Sequence, residues 1–243
     1  MTRVVTSRAA PAPIAFFATP PHACSYLEGR DAVTVFADPT FHHDRRTYTA
    51  LSRYGFRRSG PHIYRPHCPG CDACIPVRVP VREFRPRRSQ RRAWRANQDV
   101  RVTAVAPGFT PEHYALYARY VTTRHPGGGM DSPTPGQYLD FLTSHWSETT
   151  FYEFRRPSGL LAVGVVDRLD DGLSAVYTFF DPEASARSPG VFAVLWEIEE
   201  ARRLGLEWLY LGYWLQESPK MRYKGEYQPL EYLRDGLWRR DSN

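Results

Sequence analysis

The order in which hydrophobic periodicities follow one another in the second half of the chain leaves few folds open. From residue 111 to residue 213 the sequence reads helix, helix, strand, strand, strand, loop, helix, strand. Thr110 followed by Pro111 is a cap with proline at the first helical position, and it predicts a helix to about Arg124. A second helix is expected over 137–146. Strands are expected at Thr149–Phe154, Leu160–Leu169 and Leu173–Phe180, the last two joined by the turn DDG at 170–172. Val191, Val194, Leu195, Ile198 and Ala201 keep the helical period, Gly205 can end that helix, and Leu206–Tyr213 predicts the next strand.

This order fits an α+β fold of the acetyltransferase (GNAT) type, a mixed sheet with flanking helices. In such a fold the loop before the long helix receives the donor's phosphates on backbone N–H groups. The corresponding loop is RSPG, Arg187 to Gly190, which lacks the R/Q-x-x-G-x-G/A pattern of a coenzyme A site. The element order therefore suggests acyl transfer, and the loop argues against coenzyme A as donor.

The first half is organised differently. Residues 1–22 are Pro/Ala-rich and read as a flexible arm. Residues 23–106 form a cysteine-bearing, arginine-rich domain, and 107–243 the catalytic one. In the first domain a strand is expected at Ala32–Ala37, a helix at His43–Tyr54, an alternating strand at Ile75–Phe84, a basic helix at Arg87–Asn97 and a strand at Arg101–Ala106. The longest apolar run, Leu160–Val166, is far short of the roughly 20 residues a membrane span needs, so a cytoplasmic protein without a membrane partner is expected.

Charge is concentrated in one place. The chain carries +6 overall, yet between Arg78 and Arg95 stand eight arginines and one acid, Glu83. A patch of this kind is the footprint of a polyanion, with Arg78, Arg87, Arg88, Arg91 and Arg92 as candidate contacts to a nucleic-acid backbone; a solvated helix face is the plainer reading. Only two of the 32 basic residues are lysines, Lys220 and Lys224, four positions apart in SPKMRYKGEY. Where every other cation is a planar fork, a retained pair of point charges suits a site too tight for guanidinium; chance is the plainer reading.

All four cysteines lie early: Cys24, then Cys68, Cys71 and Cys74 in C-x2-C-x2-C. Clustered cysteines in an intracellular chain suit a metal centre better than disulfides. Structural zinc on four thiolates, an iron–sulfur cluster and metal-free thiols all stay open on spacing alone.

At these residues the chain resembles a known family. CSYLEGR at 24–30, GFRRSG at 55–60, YRPHCPGCDACIPVRV at 64–79, RPRRSQRR at 85–92, RHPGGGMDSP at 124–133, AVYTFFDPEASARSPG at 175–190 and YLGYWLQESPKMRYKGEYQPLE at 210–231 are similar to the arginyl-tRNA–protein transferases, in particular to their bacterial aspartate/glutamate leucyltransferase branch. The resemblance implies that leucine passes from leucyl-tRNA to the α-amine of proteins beginning with Asp or Glu, marking them for the N-end rule route of degradation. A coenzyme A-dependent N-acetyltransferase and a non-catalytic, metal-stabilised RNA-binding protein are the alternatives.

Aminoacyl-tRNA is an activated ester, so aligning amine and carbonyl is most of the task and no cofactor is required for the chemistry. Asp181 is the leading candidate for general base, at the end of a strand beside the RSPG loop; an Asx turn before Pro182 is its structural reading. Backbone N–H groups near Tyr213 or in the Ser188–Gly190 loop, and the hydroxyls of Tyr177 and Tyr223, are candidates for stabilising the oxyanion. Arg124, Arg187 and Arg222 are candidates for reading the acceptor's carboxylate, and Lys220 and Lys224 for holding the charged 3′ end of the tRNA.

Overall fold

A computed structural model describes residues 13–124 and 133–241. The elements in chain order are β1 (Phe16–Ala18), β2 (His22–Ala23), β3 (Asp31–Ala32), β4 (Thr34–Ala37), α1 (Arg45–Arg53), β5 (Arg57–Ser59), β6 (His62–Pro66), β7 (Ile75–Pro80), α2 (Arg88–Ala96), β8 (Arg101–Val105), α3 (Pro111–Arg124), α4 (Pro135–Leu142), β9 (Thr149–Arg156), β10 (Gly159–Arg168), β11 (Gly172–Phe180), α5 (Pro189–Arg203), β12 (Trp208–Trp214), β13 (Glu231–Arg234) and β14 (Leu237–Arg240). Two 3-10 turns, Pro182–Arg187 and Arg222–Glu226, lie before α5 and after β12.

The architecture is α+β. An eight-stranded sheet runs β14-β13-β7-β12-β11-β10-β9-β8, and every neighbouring pair is antiparallel except β11–β12. That one parallel pair is joined through α5, because a parallel return needs a crossover element. A smaller sheet, β1-β4-β6-β5, and the short pair β2-β3 complete the N-terminal part.

The alternation of β12 shows how the layers are set. Leu209 and Leu211 point into a core shared with Val77, Val79, Phe192 and Ile198, the side of α2 and α5. Trp208 and Tyr210 point the other way, to Tyr48, Leu51 and Ile63 of α1 and the small sheet. Further along that second side, α3 and α4 cover β9–β11 through Leu116, Tyr117, Tyr138, Phe151 and Phe179.

Two expectations about domains change. Strand β7 lies between β12 and β13, and β8 forms the far edge, so the eight-stranded sheet runs across the expected boundary at residue 106. The reason is pairing: β7 supplies Ile75–Pro80 as the antiparallel partner of Trp208–Trp214. The expected arm also ends earlier than residue 22, because Phe16–Ala18 pairs with Val35–Ala37; residues 1–12 lie outside the described part. Strands β1, β2, β5, β6, β13 and β14 have no counterpart among the expected ones. Among the described residues no helix is long and apolar enough to cross a membrane.

Candidate active site

The parallel pair at the middle of the sheet opens into a fork. β11 and β12 are in register for three residue pairs, Gly172–Trp208, Leu173–Leu209 and Ser174–Tyr210. Beyond them β11 stays with β10 as far as Phe180, and β12 stays with β7 as far as Trp214. Gly172 permits the close start, since a Cβ there would lie 2.6 Å from the Trp208 carbonyl.

Arg57 sits in the crotch of the fork. It comes from β5, is 9% exposed, and its Nη1 donates to the Ser174 hydroxyl at 2.9 Å and the Tyr210 carbonyl at 3.2 Å. Its Nη2 donates to the Ala175 carbonyl. The guanidinium thus takes one carbonyl from each strand where their own ladder stops. Gly212 (φ 79°) leaves it room, because a Cβ there would come within 3.1 Å of the Arg57 Nε.

A second cation lies close by. Lys224, on the turn after β12, is 8% exposed and its Nζ donates to the Tyr213 carbonyl at 2.7 Å and to the Met221 Sδ at 3.5 Å. Among the described residues no carboxylate pairs with it. Burial, reinforced by Arg57, lowers its pKa to about 7. From the opposite face α5 contributes Glu197, with no exposure and no hydrogen bond to either carboxyl oxygen. Burial raises its pKa to about 8 against the opposing pull of Arg57.

The sequence-level candidates divide around this fork. Lys224 is at its heart. Tyr223 is beside it, half exposed, in the electrostatic range of Tyr120, Glu197, Arg57 and Arg124. Arg124 closes α3 as an exposed residue on that side. Lys220 and Arg222 are exposed, so the tight environment expected for the two lysines holds for Lys224 alone. The Tyr213 hydroxyl donates to the carbonyls of Gly55 and Tyr64 and belongs to the joint between β12 and the small sheet. Tyr177 packs among Tyr117, Tyr120 and Phe141, its hydroxyl buried without a partner, and burial raises its pKa.

Asp181 takes its structural reading. Its Oδ1 accepts from the Glu183 N–H at 3.2 Å and its Oδ2 from Arg156 at 2.6 Å, so it caps the turn before α5. Arg187 makes a two-point pair with Asp99 at 2.9 Å, Ser188 adopts the left-handed conformation (φ 52°), and Gly190 lies against Phe180, 2.9 Å from where a Cβ would stand. Residues 125–132 of the glycine-rich segment lie outside the described part.

The basic patch is real but loses one member. Arg87, Arg88, Arg91 and Arg92 are exposed on α2 and at its start. Arg78 instead faces inward on β7: its guanidinium pairs with Glu231 at 2.9 Å and stacks on Trp208 and Trp238, so it has no open face for a phosphate. A central strand flanked by aromatic residues buries an arginine that charge counting alone assigns to the surface.

The four cysteines are free thiols in one electrostatic neighbourhood. Burial, then Cys24, Cys68 and Cys71 in turn, pushes the Cys74 thiol up to about 11. The Val33 N–H donates to Cys68 Sγ, and Arg30 donates to Cys71 Sγ. Among the described residues no three His, Cys, Asp or Glu side chains are grouped so as to hold a metal ion. Arg57 and Glu197 were not singled out from the sequence. The one signal for Glu197 is its place on the inward stripe, three residues after Val194 and four before Ala201.

Comparison with known proteins gives the same family in both halves. Residues 22–92 match the N-terminal model, and residues 112–234 the C-terminal model, of the arginine-tRNA-protein transferases. An aspartate/glutamate leucyltransferase of Alcanivorax borkumensis is 52% identical over 227 residues, 93% of this chain and 94% of its own. One from Nitrosococcus oceani is 52% identical over 224 residues, 92% and 94% of the two chains. Among solved structures, L-PGS from Bacillus licheniformis overlaps 59% of this chain and 47% of its own with a TM-score of 0.44 at 12% identity.

Proposed function

Because the chain belongs to the arginine-tRNA-protein transferase family, we propose that the fork is where leucine passes from leucyl-tRNA to the α-amine of a protein beginning with Asp or Glu. The observation that carries the reading is Lys224: a buried cation with no carboxylate of its own, next to a second buried cation, Arg57. Such a pair is costly to keep without an anion, and the acceptor's acidic side chain is that anion. Acceptance of an uncharged N-terminus would leave the cost in place, so specificity follows from the same feature.

The reaction needs little beyond alignment. The acceptor nitrogen forms a bond to the leucyl carbonyl carbon, the bond from that carbon to the ribose oxygen breaks, and the ribose oxygen takes the proton the nitrogen gives up. An α-amine with a pKa of ~7.7–8.0 is neutral in part at pH 7. The parting of one parallel pair supports an acetyltransferase-type reading, since it leaves backbone groups of β11 and β12 available to an acyl group. Ser188 in its left-handed conformation and Pro189, which has no N–H, interrupt the start of α5 and make a poor cradle for a coenzyme A pyrophosphate.

The tRNA body lies on the arginines of α2. They contact phosphates and position the substrate without reading its sequence. The side chain of Asn97, at the end of α2, donates to the Arg187 carbonyl at 2.8 Å, so the phosphate-bearing helix is fixed to the loop that precedes α5. Work in the cytoplasm on N-end rule substrates completes the reading. One mixing experiment tests it: labelled leucyl-tRNA and labelled acetyl-coenzyme A, each offered with peptides beginning with Asp, Glu or Ala. Leucine on the Asp and Glu peptides alone is expected. Acetylation, or equal labelling of the Ala peptide, overturns it.

A further inference from the structure

Glu197 is a buried carboxyl for which the reaction as described has no use. It stands on α5, which packs against β10, β11 and β12, and it is fully enclosed. A Cβ on Gly164 of β10 would come 3.2 Å from its Oε1, so the carboxyl lies against the sheet at the level where a glycine makes room for it. The charged and titratable groups in its field are Arg57, Tyr152, Tyr223 and Tyr227. Neither oxygen has a hydrogen-bond partner among the described residues. A carboxyl that only filled space would place its O–H on a neighbouring acceptor, because an unmade hydrogen bond in the interior costs about 1–3 kcal/mol. An enclosed water or a group that arrives with a substrate completes such a carboxyl.

The chemistry of the substrates narrows the choice. The acceptor's side chain and the tRNA phosphates are anionic, and the ribose and ester are neutral. Two amines remain. The acceptor's α-amine has to keep its lone pair for attack, and a carboxylate paired to it would hold it as unreactive ammonium. The donor's α-amine takes no part in bond making and is free to be held.

We propose that Glu197 binds the α-ammonium group of the leucyl ester and restricts the donor to aminoacyl-tRNA with an unblocked amine. On entry the neutral amine takes the proton of the Glu197 carboxyl, giving ammonium and carboxylate with no net proton change. N-acyl, formylated and peptidyl esters have no cation for the carboxylate and are excluded. The inference rests on the leucyl-transfer reading and adds a receptor for the donor's amine.

The test compares leucyl-tRNA with α-hydroxyisocaproyl-tRNA, in which a hydroxyl replaces the amine, both with an Asp-peptide acceptor. The wild type should favour leucyl-tRNA in kcat/KM by a hundredfold or more. Glu197→Gln should cut that preference at least tenfold, with transfer from the hydroxy ester little changed. Glu197→Met, of similar volume and without polar atoms, serves the same purpose where the amide fails to fold. Equal use of the two esters by the wild type, or an unchanged preference in both variants, overturns the proposal. A general base would instead lower transfer from both esters alike. Transfer from leucyl-tRNA without discrimination removes only this inference, whereas no transfer at all removes the leucyl-transfer reading as well.

Discussion

Arg58 and Asp167 form a two-point ion pair in an interior that neither side chain shares with solvent. Nε and Nη2 of the arginine reach the two carboxylate oxygens at 2.5 and 2.8 Å, and Thr149 donates to the same carboxylate at 2.7 Å. The pair ties β5 of the small sheet to β10 of the large one. Removing one partner strands the other, so Asp167→Ala and Arg58→Met should each lower stability by about 3–5 kcal/mol in denaturant unfolding. The double variant should recover part of that loss, since it removes the stranded charge. A double variant that costs the full sum of the two would show that the members act independently.

Lys224 carries the prediction for the acceptor site. Its ε-amine is protonated below about 7 and loses its charge as pH rises through that value. An N-acetylated Asp-peptide, which keeps the carboxylate and has no titrating amine, should therefore inhibit less well at pH 8.5 than at pH 6. Lys224→Met should raise its inhibition constant tenfold or more at pH 6 and flatten the pH dependence. Lys224→Arg should cost a tenfold or greater loss of turnover, roughly 1.4 kcal/mol, because a guanidinium does not fit the ammonium's place between Tyr213 and Met221. Full activity of the arginine variant would mean that only charge matters at this position.

The exposed arginines of α2 set the salt dependence. Replacing Arg87, Arg88, Arg91 and Arg92 by Ala should reduce the log–log slope of tRNA binding against salt by ~0.7–0.9 for each phosphate left without its arginine, equally for any tRNA body. A slope unchanged in the fourfold variant would assign these side chains to a solvated face.

Glu197 should also appear in the pH dependence of stability. Its folded pKa, about 8, lies above the ordinary carboxyl value of 4.5. Its stabilising contribution is therefore complete below pH 4.5 and is lost as pH rises through 8, because the folded state holds the proton that the unfolded chain releases. Lys224 acts only above about 7, in the opposite sense, since the unfolded chain keeps a proton the folded state has given up. Between pH 5 and 7, wild type should lose about 2–3 kcal/mol relative to Glu197→Gln. Parallel stability curves for the two proteins across that window would contradict the buried ionisation.

The sequence carried the large sheet better than the fork. Alternation, helical period and the apolar run of β10 place β7, β9–β12, α3 and α5, because each meets a core that extends along most of the element. Strand β5 escapes because its buried side chains are Arg57 and Arg58, which look like a solvated run until their distant partners, 84 to 153 residues away, are in place. β13 and β14 escape for a similar reason, as short, arginine-bearing strands at the sheet's edge. The scarcity of lysine drew attention to Lys224, which the fold buries, whereas Lys220 stays exposed. Asp181 shows why a carboxylate before proline is ambiguous in sequence, since it caps a turn as readily as it takes a proton.

The place of β7 in the sheet bears on how the chain is made. Its neighbours are β12 and β13, so the ribosome has to add residues 81 to 208 before β7 meets its first partner. At ~5–20 residues per second that is roughly 6–25 s with both edges of an apolar strand unpaired. The strand's own composition suits the wait. Pro76 and Pro80 withhold two N–H donors, and Arg78 sets a charge at its middle, the devices that keep an open edge from recruiting other chains. When β12 and β14 arrive, the same arginine is taken up between Trp208 and Trp238. A residue that guards the nascent chain against aggregation thereby becomes part of the finished core.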